Sequence, residues 1–120
     1  MSWKVLFHDE FEVEFQKLPV NVRDELLAYA KLLQQAGHQL KRPHADTLNG
    51  SEHSNMKELR FKVDGGIWRV AYAFDPLRQA IVLVAGDKAG VSQKRFYKQL
   101  IAKADRRFNE HLRQIKEQER

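Results

Sequence analysis

Two stretches of alternating apolar and polar residues meet at Asp64-Gly65-Gly66, within KELRFKVDGGIWRVAYAF (57–74). Alternation with a period of two predicts a pair of strands, and the glycines supply the positive φ that a tight hairpin needs. In the first arm Leu59, Phe61 and Val63 share a face, leaving Glu58, Arg60 and Lys62 on the other. In the second arm Trp68, Val70, Tyr72 and Phe74 share a face, with Ile67, Arg69, Ala71 and Ala73 opposite. A loop at Asp64-Gly65 sets Arg60 across from Arg69; a loop at Gly65-Gly66 sets Arg60 across from Ala71 and Lys62 across from Arg69. In both registers the large apolar side chains gather on one side. Arg60, Lys62 and Arg69 gather on the other, beside two alanines.

The flanking pattern builds a domain around this hairpin. Trp3–His8 reads as a first strand with Trp3, Val5 and Phe7 on one face. Asp9 followed by Glu12 resembles a capping box, and the helix it opens carries Phe11, Phe15 and Leu18 inward. Pro19 interrupts that helix. Asn21 is the expected N-cap of a second helix with Val22, Leu26, Tyr29, Ala30 and Leu33 at helical spacing, stopped at Gly37. Residues 38–55 are polar and aperiodic and are expected to form a loop. Ala80–Gly86, apolar on both faces, predicts a central strand covered on both sides. Ser92 is the expected cap of a long last helix, with Phe96/Tyr97, Leu100/Ile101, Ala104, Phe108, Leu112 and Ile115 inward and an end at Lys116–Arg120 that frays. The expected fold is α+β in the order βααβββα. A helical hairpin and a long C-terminal helix pack on a mostly antiparallel four-stranded sheet, in a single domain over 1–120.

Composition narrows the chemistry. With no cysteine, disulfides, thiolate metal sites and cysteine nucleophiles are unavailable. No apolar run approaches the roughly 18 residues of a membrane span, and the acidic segment following Lys4 does not fit a secretory signal, so the expected location is the cytoplasm, away from membranes. The net charge of +5 is unevenly placed: residues 9–25 are acidic and residues 88–116 basic. One side of the molecule is thereby suited to a polyanion.

Like charges across a hairpin are destabilising, so the cationic face invites either solvated side chains or an anion, most plausibly phosphate. No phosphate-binding glycine loop and no zinc-binding histidine motif is present, and His44 with Asp46 lacks a third fixed ligand. What remains is a set of Arg, Lys, His and Tyr. Such a set can cleave RNA without a metal or other cofactor: a base takes the 2′-OH proton, an acid serves the leaving oxygen, and cations stabilise the charge. Arg60 and Arg69 suit the cationic role. His53, Lys57 and Lys88 are the candidate proton carriers. Lys62, Lys94, Arg95, Tyr97 and Lys98 are candidate RNA contacts; for Lys94, Arg95 and Lys98 the plain alternative is a solvated helix face, and for Tyr97 a core-edge position.

Leu18-Pro19, Gly37 with Leu40 and Pro43, Leu48, Glu58-Leu59-Arg60 and Trp68-Arg69-Val70-Ala71-Tyr72, in that order, resemble RelE/ParE-superfamily toxins of type II toxin–antitoxin systems. The HigB-like, phage-derived branch is the nearest in pattern. The resemblance implies a RelE-like fold and ribosome-dependent mRNA cleavage that inhibits translation. It also implies a cognate antitoxin, often with a helix-turn-helix domain through which DNA is met only indirectly. By position, Arg60 and Arg69 match the family's strand cations and Lys88 the basic position after the last strand, whereas Lys57 and His53 are candidates by proximity alone. Ala89 departs from the pattern, where a second lysine is usual, as does the long exit Gly86–Gly90. ParE-type relatives inhibit DNA gyrase on a similar fold, which leaves a non-nuclease toxin or an inactive partner-binding domain as the alternative.

Overall fold

A computed structural model describes residues 2–119, so Arg120 lies outside the described residues. The elements are β1 (Lys4–Phe7), α1 (Asp9–Gln16), α2 (Val20–Ala36), a 3-10 turn (Gly37–Gln39), β2 (Ala45–Thr47), β3 (Met56–Val63), β4 (Gly66–Phe74), β5 (Gln79–Asp87) and α3 (Gln93–Gln118). One sheet runs β1-β5-β4-β3-β2, with β1 parallel to β5 and the other neighbours antiparallel. The α+β class and the element order are as expected; the sheet has five strands, not four. The extra strand, β2, sits in the stretch read as loop. Its three residues are too few for periodicity, and they are extended because they pair with β3 through Ala45–Leu59 and Thr47–Lys57.

Both faces of the sheet are covered. On one, Phe11 and Phe15 of α1 and Val22, Leu26 and Leu33 of α2 pack over Leu59, Phe61, Val70, Tyr72 and Val82. On the other, Phe96, Leu100, Ala104 and Phe108 of α3 pack over Met56, Ala71, Ala73, Ile81 and Leu83. Ala71 and Ala73, the two alanines beside the cationic residues of the hairpin, are buried beneath α3. Between Ala71/Tyr72 and their partners the β4–β5 register slips, because Ala71 faces Val84 while Tyr72 faces Val82. That bulge directs both Leu83 and Val84 toward α3.

Helix ends follow side-chain chemistry, with two corrections. His8, not Asp9, caps α1: its Nδ1 accepts the Glu10 amide at 3.1 Å. Pro19, not Asn21, occupies the cap of α2, its fixed φ being compatible with the extended entry, and Asn21 lies in the first turn. Ser92 caps α3 as expected, accepting from the Arg95 amide. Gly37 ends α2 at φ +56, where a Cβ would lie 2.1 Å from the Trp3 indole, so neither the backbone angle nor the space admits another residue. α3 is helical through Gln118, and Arg120 of the stretch expected to fray lies outside the described residues.

The acidic α1 and basic α3 face each other. Arg107, only 2% exposed, donates from Nη1 to the Leu83 carbonyl at 2.7 Å and to Glu14 at 2.9 Å, while Nη2 also bonds Glu14. Arg106 grips Glu10 with both nitrogens at 3.1 Å. This part of the basic helix is therefore committed to the fold. Arg107→Ala is expected to cost about 3 kcal/mol in urea unfolding, by orphaning a buried carbonyl and opening a cavity, and Arg107→Met less, because it keeps the packing. The Arg107 guanidinium lowers the Glu14 pKa from 4.5. The Glu14 share of the clamp is thus complete above its unfolded value and lost as pH falls through the lower folded value.

Candidate nucleic-acid interface

On the α3 face of the sheet, polar residues stand in cross-strand rows fixed by register. Asp46, Glu58, Ala71 and Val84 form the first. Arg60, Arg69 and Gly86 form the second, and Lys62 and Ile67 the third. The hairpin therefore uses Asp64-Gly65 as its loop, with positive φ of 51° and 81°, and the two arginines are direct partners.

The first turns of α3 cover the middle of this array. Arg69 is 4% exposed, its guanidinium 5.5 Å from the ring centres of both Phe96 and Tyr97. Gly86 permits that cover, since a Cβ there would meet Phe96 at 3.1 Å. Arg69 Nε has no hydrogen-bond partner among the described residues, and Nη1 reaches only the Ile67 carbonyl at 3.4 Å. Its compensating charge is Glu58, 6% exposed, with Oε1 at 4.0 Å from Nε. The Tyr97 hydroxyl donates to the same Oε1 at 2.9 Å. Burial raises the Glu58 pKa, opposed by the Tyr97 hydrogen bond and by Arg60 and Arg69. Burial and the Glu58 contact raise that of Tyr97. The arrangement is a carboxylate with enhanced basicity, a protonated phenol and two guanidinium groups, one buried and one half-exposed.

Of the residues singled out in the sequence, Arg60, Arg69 and Tyr97 come together here, and Lys62 borders them. Lys88 is exposed just beyond Asp87, which pairs with Trp68, and so stands at the same end of the hairpin. Lys94 and Lys98 border a groove with Tyr97, Ile101 and Gly50, and Arg95 is exposed on the same helical turn. Two candidates are placed elsewhere. Lys57 has the parity of Leu59, so it lies on the opposite face of the sheet, bordering a groove with His38 and Leu40. His53 bonds Asn109 at 2.7 Å and packs edge-on to Phe108, about 18 Å along α3 from Phe96. Glu58, which joins this cluster, is not among the candidates read from the sequence. Its parity with Arg60 and Lys62 was the available signal; its burial depends on α3 and could not be read locally.

His8, Glu10 and Glu110 form the single His/carboxylate cluster of metal-binding dimensions among the described residues. Its chemistry opposes a metal: His8 Nδ1 accepts the Glu10 amide, so Nε2 carries the proton, and Glu10 is held by Arg106. No described helix is long and apolar enough to cross a membrane.

The fold and this array define a RelE-like domain. Over 86% of the chain it superposes on 97% of the free-state structure of an E. coli toxin RelE mutant, with a TM-score of 0.59 at 15% identity. Residues 13–109 match the model of the phage-derived Gp49-like proteins (DUF891). The chain belongs to that family and, as its sequence motifs suggested, to the HigB-like branch of the RelE/ParE superfamily. Two relatives from Mycobacterium tuberculosis carry toxin names. HigB2 is 44% identical over 77% of this chain and 46% of its own length; HigB3 is 50% identical over 68% of each. The chain thus spans about half of HigB2.

The Glu58–Tyr97 contact is directly testable. In carbon-detected NMR titration the Glu58 carboxyl is expected to titrate above its ordinary 4.5, and Tyr97→Phe to move that midpoint higher still, because the lost hydrogen bond favoured the ionised form.

Proposed function

We propose that this chain is the toxin of a type II toxin–antitoxin pair and cleaves mRNA on the ribosome without a metal, inhibiting translation until a cognate antitoxin neutralises it. The observation that carries this reading is the buried Glu58 carboxylate, with raised pKa, between Tyr97 and the paired Arg60 and Arg69. Family membership and the toxin names of the relatives support the coarser part of it.

In this mechanism Glu58 takes the 2′-OH proton. The 2′ oxygen bonds to phosphorus, the bond from phosphorus to the 5′ oxygen breaks, and the products are a 2′,3′-cyclic phosphate and a 5′-hydroxyl. Arg60 and Arg69 stabilise the added charge on the phosphoryl oxygens. Tyr97, protonated at neutral pH, supplies the leaving oxygen with its proton. Arg69 is enclosed by the Phe96 and Tyr97 rings, so the phosphate enters by displacing the Tyr97 side chain, and the released hydroxyl is then free to act. This mechanism assigns no step to His53 or Lys57, which lie apart from Glu58, Arg60 and Arg69.

The test is brief induction in bacteria followed by mapping of mRNA 5′ ends. New cuts inside translated regions are expected with the wild-type chain. Glu58→Gln is expected to reduce them by about 10²–10⁴ and Arg60→Ala by about 10². In vitro the rate is expected to rise with pH through the Glu58 pKa, above the ordinary 4.5, and Glu58→Gln to abolish that limb. Growth arrest with uncut mRNA would instead place the chain with the ParE-type gyrase inhibitors.

A further inference from the structure

The array is covered unevenly. Helix α3 closes over Arg69 and Gly86 but leaves the third row, Lys62 and Ile67, outside its reach. There the hairpin borders a groove of about 320 Å³ lined by Arg42, Pro43, Arg60, Phe61, Lys62 and Ile67. The segment carrying Arg42 and Pro43 is held beside β3 by the Arg60 amide, which donates to the His44 carbonyl at 2.9 Å. The groove has two kinds of wall. Ile67, 36% exposed, and Pro43 offer apolar surface, and Arg42, Arg60 and Lys62 offer charge.

Charge balance favours an anion. In the cross-strand rows the carboxylates set against Arg42, Arg60, Lys62 and Arg69 are Glu58 and Asp46. Asp46 accepts from the Thr47 amide and pairs with Arg42 at 2.7 and 2.8 Å, and the Arg42 side chain is 80% exposed. Glu58 is drawn toward Arg69 and Tyr97, which leaves Arg60 and Lys62 without an ion pair among the described residues. Cations without an ion pair beside an exposed aliphatic side chain, arranged around about one nucleotide's volume, match the two-part chemistry of a single-stranded RNA unit: phosphate on the cations, base face on the apolar wall.

We propose that this groove is the subsite for the nucleotide next to the scissile phosphate, with Arg42 and Lys62 holding its phosphates and Ile67 and Pro43 receiving its base. The inference rests on the ribonuclease reading and names residues outside the reacting set. It gives the RNA strand a path across the hairpin, between the open third row and the closed second row. Ile67 becomes the residue that influences which base precedes or follows the cut.

The test uses fluorescein-labelled single-stranded RNA bound to the Glu58→Gln chain, which does not cleave it, across a salt series. Arg42→Ala/Lys62→Ala in that background is expected to weaken binding about tenfold and to make the dependence of log K on log salt shallower by about 1.4, the value for two phosphates on a single strand. Ile67→Ala is expected to weaken binding a few-fold with the slope unchanged, and in an otherwise wild-type chain to alter the base preference of mapped cuts. Lys31→Ala, on α2, controls for net charge. Unchanged affinity and slope in the double variant would overturn the subsite, as would loss of binding to an acidic peptide with RNA binding intact, which would assign the groove to a protein partner. Failure of the ribonuclease reading looks different: the wild-type chain then makes no cuts at all.

Discussion

The Arg107 guanidinium fixes the line of α3 across the sheet, and most of what is distinctive here depends on it. One nitrogen is shared between the Leu83 carbonyl and Glu14, so a strand and two helices meet at one side chain. Main-chain acceptors inside a central strand are normally spent within the ladder. The bulge that turns both Leu83 and Val84 toward α3 makes this one reachable. With the helix anchored there, and again by His111 on buried Asp75, its upstream turns extend over Arg69. The closed state of the candidate site is thus set about three helical turns away from it.

That geometry explains how a like-charged pair is tolerated. Arg60 and Arg69 are direct cross-strand partners, an arrangement that ordinarily costs stability. Here one member is enclosed by two aromatic rings and a carboxylate, while the other is half-exposed to water. The two charges share a face without sharing an environment. The expense is carried by Glu58, whose burial makes its ionised form less favourable and thereby makes it a better base.

Much of the fold was legible because alternation and helical spacing are local properties. The hairpin faces, the two-sided cover of β5 and the α1–α2 break at Pro19 all follow from residue order. Register was open between two loops, and only pairing along the whole of β3 and β4 selects Asp64-Gly65. β2 escaped notice because its extended form is imposed by β3. Among candidate residues, the two that the fold places apart from Arg60 and Arg69 share a cause. Lys57 and His53 are near Arg60 in sequence, but parity sends one through the sheet and a hydrogen bond to Asn109 holds the other far along α3. The burial of Glu58 was illegible for the opposite reason: a carboxylate on a polar strand face reads as solvated until a distant helix is known to cover it.

The same contrast separates the two halves of the basic C-terminal helix. Counting charges suggested one continuous cationic surface from Lys88 to Lys116. In the fold, Arg106 and Arg107 are neutralised by Glu10 and Glu14, whose pKa values fall accordingly. Lys94 and Lys98, two to three turns earlier, remain exposed beside Tyr97. The positive potential is therefore concentrated at the hairpin end of the molecule, where Arg60, Lys62 and Lys88 also lie. Under the proposed function, a polyanion attracted by these charges would arrive beside Glu58, the buried carboxylate whose pKa is raised. Net charge gives only a sign; the internal acid–base pairing of α1 with α3 determines which of the cations stay free of a carboxylate.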